Sequence, residues 1–371
     1  MRKIRILHVL SALDSGGVET MLYHYYTNID TQKIQFDFVV YSQKIGRLES
    51  AFSDMGCAIF HVTPKRQSFL KSNKDIAAVL RDGQYDAVHV HQGPSSFNTL
   101  MLARRYGVPV KIVHNHGLKT AGGLKGMSLR VLKFLCRRNA DWYFACSDEA
   151  GENMFGSRWK TDKHTYLMKN AEELERFVLN ADKRRQLRAA VKVGDSDLLL
   201  LHAGRMDEAK NQRFVLEVFA AVQKNKPKAQ LVLAGDGPLK EKLAQQAKTM
   251  GLENAVHFVG VVQNLNEWYM AADGFVFPSK HEGLGMVAVE AQISGLPVLC
   301  STGVPQSVAL TKNVRFLPLS DGAQAFAFAI TEMCSLSRES GYEAVKAAGY
   351  DIHTESQKYQ DWIYKNIGVA K

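Results

Sequence analysis

Short apolar runs alternate with glycine-bearing loops and amphipathic stretches along almost the whole chain. IRILHVL precedes SALDSGG, and QFDFVVYS precedes a charged amphipathic stretch. YDAVHVH precedes QGPSSF, VKIVHNH precedes GLKTAGG, and DWYFACS precedes DEAGENMF. A buried strand followed by a helix at this spacing is the pattern of a parallel sheet covered on both faces, so residues 1–168 read as one complete α/β domain. The pattern then repeats. DLLLLHAGR leads into NQRFVLEVFAAVQKN, KAQLVLAGDG leads into PLKEKLAQQAKTM, and NAVHFVG, DGFVFPS and LPVLCS supply three more strands. Between the two sets, residues 170–194 are polar with helical character and read as the boundary with a linker helix. The end of the chain, YDIHTESQKYQDWIYKNIG, predicts a helix whose Trp362, Ile363 and Tyr364 need a surface to dock on.

At 371 residues the chain exceeds the size at which single cores stop growing, which agrees with two domains. Its five cysteines lack CxxC or other metal-type spacing, which argues against a structural zinc or a disulfide framework and favours a reduced cytoplasm. The opening MRKIRILHVLSALDSGG is basic and then apolar. Its apolar run is short, contains His8 and ends at Asp14 and two glycines, so it reads as a first strand rather than a signal peptide. No apolar run is long enough for a transmembrane helix. The net charge of +10 is uneven: residues 1–168 carry 23 Lys/Arg against 14 Asp/Glu, and residues 169–371 carry 24 against 23. A basic first half suits an acidic partner, whether nucleic acid, anionic lipid or a phosphorylated substrate. Nucleic acid is the weakest of these, because no RNP sequence, zinc finger or long basic recognition helix is present.

Candidate chemistry falls just after the strands. Gly16 and Gly17 follow the first strand, where glycines permit close backbone approach and a helix start offers N–H groups; a plain turn explains the pair equally well. The spacing is not GxGxxG, which disfavours hydride transfer. His89, His91, His114 and His116 form two HxH pairs whose members share a strand face. Each pair could hold a metal, but no adjacent carboxylate or cysteine completes a signature. A histidine lining a cleft is favoured instead, with His116, directly before Gly117, the best placed. In GRMDEAKNQ, Arg205 and Lys210 could both reach a phosphate, the first as a fixed fork of donors and the second as a mobile charge; the alternative is a solvent-facing loop. GDGP is by composition a turn. The stretch HEGLGMVAVE is the most informative. Glu282 precedes a helix, Gly283, Leu284 and Gly285 lie where a helix N-terminus favours anions, and Glu290 sits between Val289 and Ala291 inside the helix.

Together these residues resemble the retaining GT-B glycosyltransferases of family 4 (glycosyl transferases group 1), over nearly the whole chain. The most specific element is E-x7-E, here Glu282-GLGMVAV-Glu290, and the GG, HG, AGR-with-Lys210 and AGDGP landmarks follow the family order. The resemblance implies an α/β, GT-B fold: two Rossmann-like domains facing each other across a deep cleft. The acceptor-binding domain would span 1–168, the nucleotide-sugar-binding domain 169–350, and a terminal helix over 351–371 would cross back toward the first domain. It implies a metal-independent, hexosyltransferase-type enzyme with no tightly bound cofactor. The donor is a nucleoside-diphosphate sugar, UDP-sugar favoured, and the acceptor a saccharide or polyprenyl-diphosphate-linked saccharide in exopolysaccharide, capsule or lipopolysaccharide synthesis. By the same resemblance, Arg205 and Lys210 neutralise the diphosphate, Glu282 binds sugar hydroxyls, and the Gly283–Gly285 amides lie near the phosphates. Glu290 binds the ribose, Val261 and Val262 flank the base, His116 contacts the reacting sugar, and Gly16 and Gly17 let the acceptor domain approach the donor.

The usual PNG-type segment between the domains is replaced by MKNAEELERF. A sugar-nucleotide epimerase of the same shape and a noncatalytic nucleotide-sugar-binding protein are the alternatives. The segment Lys119 to Asn139 offers Leu129, Val131, Leu132, Phe134 and Leu135 as an apolar side and Lys125, Arg130, Lys133, Arg137 and Arg138 as charge. That pattern fits either a helix covering a sheet or one lying on the anionic inner face of the plasma membrane.

Overall fold

The computed structural model describes residues 2–14, 16–117 and 122–368. Two separate parallel sheets carry the strands that the apolar runs predict. The first holds β1 (Ile4–Leu10), β2 (Ile34–Val40), β3 (Ile59–His61), β4 (Ala87–Val90), β5 (Val110–Asn115), β6 (Trp142–Ala145) and β7 (Thr165–Leu167) in the order β3-β2-β1-β4-β5-β6-β7. The second holds β8 (Leu199–Ala203), β9 (Gln230–Ala234), β10 (Val256–Gly260), β11 (Gly274–Phe277), β12 (Val298–Ser301) and β13 (Val314–Leu317) in the order β10-β9-β8-β11-β12-β13. Helices on both faces bury the central strands: β8 and β12 are buried at every position, which is why they read as nearly continuous apolar runs. In each sheet the winding reverses once, between β1 and β4 and between β8 and β11. Such a switch point opens a crevice beyond the strands' carboxyl ends, which is where ligands of open α/β sheets bind.

The chain divides into two compact units, Met1–Glu172 with Gly349–Lys371, and Glu173–Ala348. The terminal helix Ile352–Asn366 thus belongs to the first unit. Tyr359, Trp362, Ile363 and Ile367 enter the same core as Phe36, Phe38 and Phe144, each burial contributing roughly 2 kcal/mol before entropy is counted. Trp362 stands edge-on to Trp142 and Phe144, with ring centroids at 5.0 and 4.9 Å. A parallel bridge starts this return: Glu172 N–H donates to the Tyr350 carbonyl at 2.8 Å, and Ile352 N–H donates to the Glu172 carbonyl at 3.0 Å. The last three residues of the segment expected over 351–371 lie outside the described residues.

The polar stretch 170–194 is docked rather than a free linker. Asn180 caps the helix Ala181–Ala190 by accepting from the Asp182 and Lys183 N–H groups. From that helix, Arg184 donates to the carbonyls of Met270, Ala271 and Ala272, and Arg188, 1% exposed, donates to Ala271. Arg338 adds bonds to Tyr269, Met270 and Ala272. These are the carbonyls left unpaired at the end of the helix Leu265–Ala271, where the helix dipole is negative and cations are favoured. Asp273 completes the cluster by accepting from Arg184, from Arg188 at 2.9 Å and from the Leu199 N–H at 2.8 Å.

Candidate active site

In the second unit, four loops meet at the carboxyl ends of β8, β9, β10 and β11. The turns after β8 and β9 lie backbone against backbone: a Cβ on Gly235 (φ 133°) would stand 2.0 Å from the Gly204 carbonyl oxygen. Met206 N–H donates to the Asp236 carbonyl at 2.9 Å, and Gly235 N–H donates to the Gly260 carbonyl at 2.7 Å. GDGP is therefore more than a turn, because its bare backbone holds the Arg205 loop and the Val261–Val262 loop side by side. Arg205 is exposed, its guanidinium 4.0 Å from Asp207. Asp207 also accepts from the Ala209 and Lys210 N–H groups at 3.1 and 3.2 Å, and Asn211 ties the loop to the Pro278 carbonyl.

This folding brings Lys210 onto the segment that holds the two glutamates. Its ammonium lies 2.6 Å from Glu282 Oε1 and 5.1 Å from the centre of the Phe277 ring. Glu282 N–H donates to the Gly303 carbonyl at 3.1 Å, which fixes the loop before the helix Met286–Ile293. Gly285, at φ 81°, takes the left-handed conformation that opens this helix. Among the described residues no acceptor is in hydrogen-bonding geometry with the N–H groups of Gly283, Leu284 and Gly285. Glu290, half-buried in the helix, accepts from the hydroxyl of the buried Tyr269 at 2.9 Å. Phe277, Tyr269 and Gly303 were not singled out from the sequence.

In the first unit, Gly16 and Gly17 are exposed at the start of the helix Gly17–Thr27, with the Glu19 carboxylate folded over Gly16. Burial, opposed by its own backbone hydrogen bond, raises the Glu19 pKa above the usual carboxylate range. His116 follows β5 and is half-buried, with Nε2 2.9 Å from His91 Nδ1. The neighbouring strands β1, β4 and β5 gather the two HxH pairs with His8, which the first apolar run concealed. His91 Nε2 lies 3.0 Å from His8 Nδ1, His89 Nε2 lies 3.2 Å from His114 Nδ1, and Tyr359 reaches His89 Nδ1 at 3.4 Å. Burial pushes His8 and His116 down to about 3, and holds His89, His91 and His114 well below the usual imidazole range. All five are neutral at pH 7.

The basic helix spans Gly123–Asn139, and Lys119–Ala121 lie outside the described residues. Its expected apolar side divides in two. Leu129, Leu132 and Leu135 are half-buried, while Leu124, Met127, Val131 and Phe134 are exposed at steps of three and four, one stripe of the helix. Lys133 is not a free surface cation, since it donates to Asn153 through O at 2.6 Å and Oδ1 at 3.0 Å. No described helix is long and apolar enough to cross a membrane.

Residues 16–167 match the glycosyl transferase 4-like domain, and residues 197–335 match the glycosyl transferases group 1 domain. The putative glycosyltransferase EpsF of Bacillus subtilis (strain 168) is 32% identical over 375 residues, covering 95% of this chain and 97% of that protein. The chain belongs to the group 1 glycosyl transferases. A more distant relative is the UDP-Gal:alpha-D-GlcNAc-diphosphoundecaprenol alpha-1,3-galactosyltransferase of Escherichia coli, 24% identical over 84% of this chain and 82% of its own. The crystal structure of Anabaena HepE in complex with UDP-glucose matches with a TM-score of 0.79 at 19% identity, covering 97% of this chain and 99% of that one. At that identity the likeness carries the fold, which is GT-B.

The glycosyltransferase thus holds, within its second unit, two cations, three amides unpaired among the described residues and one carboxylate on a group of loops, with a second carboxylate in the helix that follows. Such a set can bind a polyanion and order hydroxyl groups beside it. Its buried cysteines offer no thiolate for covalent catalysis at neutral pH: burial pushes Cys300, Cys136, Cys146 and Cys57 up to about 12.

Proposed function

We propose that the transferase moves a sugar from a UDP-sugar to a saccharide or lipid-linked saccharide acceptor in cell-surface polysaccharide synthesis, with retention and without a metal. The observation that carries this reading is the Lys210–Glu282 pair, at 2.6 Å, beside the unpaired amides of Gly283, Leu284 and Gly285. A nucleoside diphosphate gains charge as its bond to the sugar breaks, and prepositioned cations and amides stabilise that charge as a divalent ion would. Lys210 and Arg205 take the diphosphate, which displaces Lys210 from Glu282 and frees the carboxylate for sugar hydroxyls. Glu290, oriented by Tyr269, holds the ribose, Val261 and Val262 flank the base, and Gly16 and Gly17 let the acceptor domain approach the donor. His116 contacts the reacting sugar as a neutral imidazole. The E. coli relative, named for a UDP-linked donor and a diphosphoundecaprenol acceptor, supports the choice of both substrates.

Calorimetric titration with UDP, GDP and ADP tests the donor, with UDP expected to bind tightest; tighter GDP or ADP binding reverses the choice. Transfer after exhaustive EDTA treatment is expected to keep its full rate. A loss restored by Mn²⁺ refutes the metal-independent reading.

The membrane-facing half of the proposal rests on the exposed stripe of Leu124, Met127, Val131 and Phe134 flanked by the exposed Lys125, Arg130 and Arg138. Apolar side chains beside cations suit an anionic lipid interface. The transferase is expected to sediment with anionic vesicles at low salt and to detach as salt screens the attraction. Replacing Lys125, Arg130 and Arg138 with glutamine should abolish that binding at unchanged thermal stability. Equal partitioning onto anionic and neutral vesicles, or onto neither, returns the acceptor to solution.

A further inference from the structure

The proposed transfer uses His116 and leaves the four other clustered histidines without a task. One ring nitrogen from each of His91, His114 and His116 lies within 4.8 Å of the other two, and the same holds for His8, His89 and His91. We propose that His91, His114 and His116 form a binding site for Zn²⁺ and that its occupation inhibits transfer.

The surrounding rings can hold the tautomers such a site needs. A histidine that ligates a metal through one nitrogen usually donates its other N–H to an acceptor, which fixes the ring. His91 Nε2 faces His8 Nδ1 at 3.0 Å, and His114 Nδ1 faces His89 Nε2 at 3.2 Å. With the protons on His91 Nε2 and His114 Nδ1, the lone pairs are presented by His91 Nδ1 and His114 Nε2. His114 Nε2 is buried and has no hydrogen-bond partner among the described residues. His89 is then left with a proton on Nδ1, which the Tyr359 hydroxyl at 3.4 Å accepts. His8 and His89 thus serve as an outer shell.

His116 Nε2 is the third ligand. It stands 2.9 Å from His91 Nδ1 in a hydrogen bond, whereas two ligands of tetrahedral zinc, each about 2.0–2.1 Å from the ion, stand about 3.4 Å apart. Opening the pair by roughly half an ångström admits the ion. The proton on His116 Nε2 moves to Nδ1, a buried atom also without a described partner, so zinc replaces one hydrogen bond with no net proton released. The other triad is the poorer choice. His8 and His89 are wholly buried and His91 is 8% exposed, and among the described residues no carboxylate joins them to offset a dication stripped of water. His116 is half-buried, so this triad is the one of the two that borders solvent, from which a metal ion enters.

The inhibitory half of this inference rests on the placement of His116 against the reacting sugar; the binding half does not. The test titrates the chelator-treated enzyme with Co²⁺ alone, whose visible absorption reports coordination, and then with Zn²⁺ as competitor. One Co²⁺ per chain with tetrahedral-type bands, displaced by Zn²⁺, is expected. His114→Gln and His116→Asn should each weaken binding by at least about 100-fold, with native circular dichroism checked for both, because each removes a ligand outright. His257→Ala, in the other unit, should leave binding unchanged. One equivalent of Zn²⁺ should suppress transfer, and EDTA should restore it. Absence of a one-to-one Co²⁺ band overturns the site, as does affinity indifferent to the His114 and His116 variants. Stoichiometric binding with transfer unimpaired overturns the inhibition and removes His116 from the sugar contact, without touching the roles of Lys210 and Glu282.

Discussion

Replacing Lys210 with alanine is expected to lower turnover about 10²–10³-fold, the cost of removing one prepositioned group from a developing oxyanion. Its effect on UDP affinity should be much smaller. The resting lysine is already neutralised by Glu282 at 2.6 Å, so binding a diphosphate exchanges one carboxylate partner for another anion. The surplus appears when the leaving diphosphate gains charge, and a loss confined to that moment falls on kcat rather than KM. Arginine at this position should rescue only in part. The lysine stem crosses bare Gly204, whose added Cβ would stand 3.3 Å from Lys210 Cδ, and a planar guanidinium fits that path poorly. Steady-state kinetics at saturating donor decide the matter. A kcat within a few-fold of the wild type excludes Lys210 from charge stabilisation.

Asp273→Ala is expected to destabilise the second unit by about 3–5 kcal/mol, the range for removing one member of a buried, hydrogen-bonded ion cluster. The carboxylate sits among Arg184, Arg188 and Arg338, where burial, reinforced by Arg184, lowers the Arg338 pKa to about 10 and Asp273 opposes the shift. Without it, three guanidinium groups face one another over the helix end, and the Leu199 N–H loses its acceptor at the start of β8. Differential calorimetry should show one transition moving sharply down while the other, from the first unit, stays in place. A shift worth less than about 1 kcal/mol would mean that the cluster is only a solvated surface network.

The two sheets were legible because parallel strands buried on both faces leave uninterrupted apolar runs, as in LLLLHA and VLCS, and because glycines mark their carboxyl ends. The segment from Glu282 to Glu290 stood out because its charges interrupt an otherwise apolar helix. Its partner was not legible. Lys210 meets Glu282 across 72 residues, through the pairing of β8 with β11, and periodicity within either segment carries no trace of that pairing. The same limit hid the histidine cluster: each HxH was visible alone, while the meeting of three strands depends on sheet order. Residues 170–194 were legible in part: the boundary between the units and a helix both fall within them, but the docking of that helix was not visible. A helix whose buried side is arginine satisfying carbonyls has the composition of a linker, so hydrophobic patterning carries no sign of what it packs on. Along the basic helix Gly123–Asn139, apolar residues occupy two adjoining stripes, and only packing separates the half-buried leucines from exposed Val131 and Phe134.

The return of the last helix to the first unit sets the order of synthesis against the order of packing. Residues 1–172 leave the ribosome with Trp142 and Phe144 lacking the Trp362 and Tyr359 that cover them, and the intervening unit must be translated before those partners exist. At the usual 5–20 residues per second this interval is on the order of ten seconds or more. Throughout it the nascent first unit displays an aromatic face beside its parallel sheet, a surface that chaperones recognise and that neighbouring nascent chains can join. The second unit, contiguous in sequence, carries no such debt and can close its core as soon as it emerges.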